Sequence, residues 1–104
     1  MRVRDVLASE HGTYVAFMGF IVTSRRVTAA TKNGKQPMGF VTAEDETGIV
    51  ETVWFPAAYR QCGTLIEHGG AILLRGVVQI EFGLRTVSVD CAAAVPDDEI
   101  TRRR

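Results

Sequence analysis

The sequence predicts an all-β domain with one short helix, a five-stranded barrel in the order β-β-β-α-β-β. Three observations predict it. Five runs rich in β-branched and aromatic residues are separated by Gly, Asn or acidic turns, a Pro-initiated helical stretch stands between the third and fourth runs, and the long first run carries a glycine at its middle.

The first run, YVAFMGFIVTSRRV (residues 14–27), alternates well enough to point Val15 and Phe17 inward, and Gly19 marks a bend or bulge. PMGFVTA (37–43) and GIVETVWF (48–55) are the second and third strands, joined through EDETG, whose acids and Gly48 suit a hairpin. Because faces alternate along a strand, Gly39, Val41 and Ala43 share the barrel interior, while Met38, Phe40 and Thr42 face out. In the third strand Glu51 marks the outer face with Ile49, Val53 and Phe55, which leaves Val50, Thr52 and Trp54 inside.

PAAYRQCGTLIEHGG (56–70) begins with Pro at a first helical turn, gathers Tyr59, Cys62, Leu65 and Ile66 on one face and ends at Gly69 and Gly70, with Gly63 a weak point. AILLRGVVQI (71–80) and LRTVSVDCAAAV (84–95) are the last two strands, joined by Glu81, Phe82 and Gly83. This order is that of a five-stranded Greek-key barrel of the oligonucleotide-binding (OB) type. The expected core includes Val15, Phe17, Val41, Val50, Leu73 and Val87, with Trp54 and Tyr59 also packed inside.

The chain of 104 residues is one domain's worth: residues 1–96 form the barrel and residues 97–104, DDEITRRR, a polar and basic tail. No apolar stretch approaches the length of a membrane span and the N-terminus lacks a secretory h-region, so a cytoplasmic setting is expected. Cys62 and Cys91 have no CxxC spacing and read as buried free thiols, so neither metal nor other cofactor is expected. Twelve basic residues balance twelve acidic ones. Any nucleic-acid binding must therefore rest on a local patch rather than on a global positive field.

Such a patch lies where the first strand ends. Arg25, Arg26, Lys32 and Lys35 occupy a stretch with no acid between residues 11 and 43. In an OB barrel the loops between strands one and two and between strands four and five flank the ligand groove, so this run lies along the path of a phosphate backbone, and Phe82 and Arg85 border it from the other side. The same lysines also read as a turn dressed for solubility. Phe20 and Phe40 form an exposed aromatic platform for stacked bases if the bend at Gly19 turns Phe20 outward; the alternative is that one or both rings are core. The candidate nucleic-acid-binding set is Phe20, Arg25, Arg26, Lys32, Lys35, Met38, Phe40, Thr42, Phe82 and Arg85.

The acids Glu44, Asp45 and Glu46 are consecutive turn residues whose side chains diverge, unlike carboxylates that converge on paired metals. GxSxG, Walker and HExxH motifs are absent, so no recognisable active site is carried.

The string GFIVTSRRVTAATKNGKQPMGFVTAEDETGIVETVWFPAAY, followed by LLRGVVQIEFGLRTVSVD, resembles the OB domain of the bacterial DNA polymerase III alpha subunit family over roughly residues 12–92. Its specific part is the M-x-F-x-T-x-E-D-x-T-G hairpin block beginning at Met38. The resemblance implies a non-catalytic domain that contacts single-stranded template DNA weakly, with Arg25, Lys32, Lys35 and Phe40 at matching positions. Other domains or subunits of a polymerase holoenzyme are further partners that it implies. A broader similarity to anticodon-binding barrels of class II aminoacyl-tRNA synthetases keeps RNA open as a ligand, and a replisome docking module is the competing class.

Overall fold

The computed structural model describes residues 1–68 and 70–96. The polar tail expected over 97–104 lies outside them, as does Gly69. Five strands, β1 (Tyr14–Thr31), β2 (Gly34–Asp45), β3 (Gly48–Trp54), β4 (Ala71–Glu81) and β5 (Leu84–Ala94), close into a barrel in the order β1-β2-β3-β5-β4. All pairings are antiparallel except β3 with β5, which run parallel over three residue pairs, Glu51↔Thr86 to Val53↔Ser88. The expected OB barrel is present.

Closure depends on β1, which pairs with β4 from Tyr14 to Phe20 and with β2 from Phe20 to Thr31. The irregularity expected at Gly19 lies further along. Pairing runs unbroken through Gly19↔Ile72, and the register slips between Ile21 and Thr23. Gly19 instead permits close approach: a Cβ there would lie 3.3 Å from the Glu44 carbonyl oxygen and 3.4 Å from the Ala43 Cβ. Since β2 pairs with β3 only from Gly39 onward, Gly34–Met38 and their β1 partners form a two-stranded arm at the barrel's margin.

Alternation fills the interior much as the sequence predicts. Val15, Phe17, Val41, Val50, Trp54 and Val87 are buried. Leu73 is not; it is half-buried, and Ile72 and Leu74 supply the core. Four consecutive apolar residues, Ala71 to Leu74, carry no alternation from which the phase could be read. The same inward row includes Gly76, where a Cβ would meet the Ser88 carbonyl oxygen at 2.1 Å, so a glycine is required at the slip between Arg75 and Gly76. Thr52 is the buried polar residue of the core. Its hydroxyl donates to the Val41 carbonyl at 2.7 Å and accepts from the Trp54 indole N–H at 3.0 Å, which satisfies both groups inside the barrel.

The helix expected over 56–70 is two, α2 (Pro56–Cys62) and α3 (Thr64–His68), broken at the weak point Gly63. Tyr59, Cys62, Leu65 and Ile66 pack from these helices against the core, half-buried rather than inside it. Cys91, expected to be buried, is exposed on β5, paired with Arg75 just before the slip.

A short N-terminal helix, α1 (Val3–Leu7), escapes the sequence reading because five residues are too few to display a period. Its Val3 and Val6 are fully buried in the core. Asp45 holds it in place: one carboxylate oxygen accepts from the Val3 N–H at 2.8 Å, and the other accepts from the Thr47 N–H and hydroxyl. Glu46 adds a surface ion pair with Arg2. Burial pushes the Asp45 carboxyl up, but hydrogen bonds from the Thr47 hydroxyl and from the backbone of Val3, Thr47 and Gly48 outweigh it and hold the group below its ordinary value.

Two outcomes are expected. Thr52→Val, which leaves the Trp54 indole N–H unpaired in the core, lowers stability by about 1–3 kcal/mol in urea denaturation. The Asp45 contribution is present above its ordinary carboxylate range and lost as pH falls through the lower folded value. A stability profile taken downward from about pH 5 therefore declines, and Asp45→Asn flattens that decline; an equally steep profile in the variant contradicts the clamp.

Candidate nucleic-acid interface

Across the short parallel pairing of β3 with β5, on the outer faces of β2, β3, β5 and β4, lies a groove of about 460 Å³. Met38 and Phe40 come from β2, Val53 and Phe55 from β3 and its end, Gln79 and Glu81 from β4, and Leu84, Thr86 and Ser88 from β5, with Phe82 at the hairpin tip. Three aromatic rings and a set of small polar groups thus share one concave surface. No lysine or arginine lines it.

Phe82 is the unusual residue. It joins β4 to β5 with Gly83, and both have positive φ, +53° and +78°, the signature of a type I′ hairpin turn. Asn or Asp ordinarily fills the first position; a phenylalanine there is strained and forgoes burial, being fully exposed. Folding alone does not call for this residue. An exposed π-face at the mouth of an apolar groove suits stacking against a flat ring.

The candidate site residues fall into separate places. Met38, Phe40 and Phe82 are brought together in the groove, Met38 as its buried floor. Arg25 stands directly across from Phe40 on β1, its guanidinium 5.2 Å from the ring centroid, a cation–π pair at the groove's rim. Lys32 sits in the turn of the arm. Arg26 and Lys35 fall on the opposite face of the arm from Arg25 and Phe40, Arg26 being paired with Gly39 and Lys35 with Ala30. All four basic side chains are exposed or nearly so, but they do not form one patch on one side.

Phe20, Thr42 and Arg85 do not join the groove. Phe20 is half-buried opposite Glu44, four residues along β2 from Phe40, in a separate concavity with Arg2, Glu44, Asp45 and Glu46. The expected Phe20–Phe40 platform is therefore not formed, because the β1–β2 register sets Phe20 beside Glu44 and Arg25 beside Phe40. Thr42 donates its hydroxyl to the Glu51 carboxylate across the strand pair. Arg85 misses the groove because it stands in phase with the core residues Val87 and Val89 on the inner row of β5, while Leu84, Thr86 and Ser88 point outward. The Arg85 Nε is buried there without a hydrogen-bond partner.

Sequence reasoning missed the β5 contribution. The alternation L-R-T-V-S-V already displays Leu84, Thr86 and Ser88 as one outward row, and that of the third strand displays Phe55, but neither run reveals that β5 lies beside β3. Among the described residues, no group of three or more His, Cys, Asp or Glu side chains is arranged to hold a metal ion.

A barrel of this topology with an aromatic groove between its hairpins defines a class, and residues 12–92 match the model of the OB-fold nucleic acid binding domain family of the tRNA anticodon type; the chain belongs to that family. The sequence is also similar to the DNA polymerase III subunit alpha of Bacillus subtilis (strain 168), 35% identical over 60 residues that make up 58% of this chain and 5% of that protein. Among solved structures, a chain of a replication protein A heterotrimer bound to single-stranded DNA aligns with a TM-score of 0.71 at 17% identity, covering 99% of this chain and 86% of that one. Asparaginyl-tRNA synthetase from Pyrococcus horikoshii, with asparaginyl-adenylate, aligns at 0.61 and 18% identity, covering 88% of this chain and 23% of that one. At these identities the structural matches establish the fold.

Replacing Phe82 by Asn separates the ring from the turn. Asn tolerates positive φ, so Phe82→Asn leaves stability unchanged or raises it by up to about 1 kcal/mol, while oligonucleotide binding weakens by about 1–3 kcal/mol in an anisotropy titration. Intact binding with the ring removed contradicts a stacking role.

Proposed function

We propose that this domain binds single-stranded DNA across the groove between the β2–β3 and β4–β5 hairpins, as a non-catalytic, template-contacting element of a replicative polymerase of the DNA polymerase III alpha type. The observation that carries the reading is Phe82, strained and fully exposed at the mouth of a groove that also holds Phe40 and Phe55. Bases stack on such rings whatever their sequence. The polymerase similarity supports DNA as the ligand and the replication machinery as the wider partner, and a cytoplasmic setting goes with that role.

The division of labour follows from charge. The groove takes bases, and phosphates run along its rim toward Arg25 and the arm of Lys32, where each contact releases counterions. With zero net charge and a groove without cations, affinity is micromolar or weaker. Weak binding suits an element of a larger enzyme that is held at the template by other contacts.

An NMR titration of the chain with a short thymidine oligonucleotide tests the reading. Shifts are expected at Phe40, Phe55, Phe82 and Leu84; shifts confined to the other side of the barrel, or none at millimolar DNA, favour a protein-docking role instead. Replacing Lys32 by Ala lowers affinity for all sequences alike and flattens the salt slope by up to about one unit, whereas Lys35→Ala, on the other face of the arm, changes it little. Phe40→Ala weakens binding by roughly 1–3 kcal/mol with little change in slope.

A further inference from the structure

We infer that Glu81 makes the groove selective for guanine among unpaired bases, an inference that rests on the single-strand reading above. Glu81 lines the groove next to Phe82, exposed, and among the described residues it has neither a hydrogen-bond nor an ion-pair partner. Its neighbours in the groove are apolar or neutral, so nothing there offsets its charge. A lone carboxylate in a nucleic-acid groove repels phosphate and accepts hydrogen bonds only. The strand must therefore lie with its backbone toward Arg25 at the rim and its base edges toward Glu81.

An unpaired base presents its Watson–Crick edge to the protein. Guanine offers two adjacent donors on that edge, N1–H and the N2 amine, which match the two oxygens of one carboxylate. Adenine and cytosine offer one amine beside an acceptor, and thymine one N–H between two carbonyl oxygens that a carboxylate repels. Gln79 lies two residues from Glu81 on the same face of β4, paired with Thr86 on β5, and brings an amide donor to the same row for the guanine O6. Stacking on Phe82 holds the ring while Glu81 reads its edge.

The test uses thymidine nonamers with a single central guanine, adenine or hypoxanthine, titrated by anisotropy against the whole chain at fixed salt. Hypoxanthine keeps the N1–H and stacks much as guanine does but lacks the N2 amine. The guanine oligonucleotide is expected to bind about ten-fold more tightly than the adenine one, with hypoxanthine between them. In Glu81→Gln, at a surface position where folding is not at risk, the preference falls to within about two-fold because guanine binding weakens, while adenine affinity stays equal or rises as repulsion of phosphate is removed. Equal binding of the three by the unaltered chain overturns the inference and leaves the single-strand reading standing, as does a guanine preference that survives Glu81→Gln. Failure of all three to bind at millimolar concentration overturns both, and binding of a lysine-rich peptide in their place assigns the groove to a cationic protein segment.

Discussion

The structure depends on one strand serving two neighbours. β1 is long enough to pair with β4 along its first half and with β2 along its second, and only because it bends between them does the sheet close. The bend requires the backbone of β1 to lie almost on that of β2, which Gly19 permits, and a slip of register at Val22 that lets the second half change direction. Once β1 has turned, the interior volume is fixed. Phe17, Trp54, Ile72 and Leu74 fill it, and Thr52 ties the Trp54 indole to the β2 backbone at its centre. Barrels remove the open edges that would otherwise invite pairing with other chains.

The groove runs across the seam of the barrel. β3 and β5 touch over three residue pairs, and the outward residues of that contact, Val53, Thr86 and Ser88, lie on the groove's surface with those of β2 and β4 on either side. This is why the rings of Phe40, Phe55 and Phe82 meet although they come from β2, the end of β3 and the β4–β5 turn. The same geometry separates charge from stacking. Basic residues lie on the rim and on both faces of the arm, and the cleft itself holds one carboxylate and no cation. Affinity from bases and affinity from phosphates are thus assigned to different surfaces, which suits a domain that has a balanced net charge.

The acidic turn after β2 has a structural office. Asp45 spends its hydrogen bonds on the Val3 amide and on its own turn, so it fastens α1 to the barrel, and Glu46 reaches Arg2 at the surface. The N-terminal residues therefore belong to the core through Val3 and Val6. A carboxylate held by donors on two elements is a clasp. Its worth lies in orienting a helix too short to be stable alone.

The amino-acid sequence by itself determined the five strands and the helical stretch between the third and fourth, the inward rows of β2 and β3, the outward Met38 and Phe40 and the basic stretch without acids. These are local properties, set by alternation, turn chemistry and composition over a few residues. It could not determine the phase of β4, where Ala71 to Leu74 are uniformly apolar, nor α1, which is shorter than any period that would betray it. It also could not place Phe20 relative to Phe40, since that depends on the register of β1 against β2. Only the tertiary structure set β5 beside β3 and so brought Leu84, Thr86, Ser88 and Glu81 to the rings of β2 and β3, because a parallel contact between strands thirty-odd residues apart leaves no mark on either strand's own sequence.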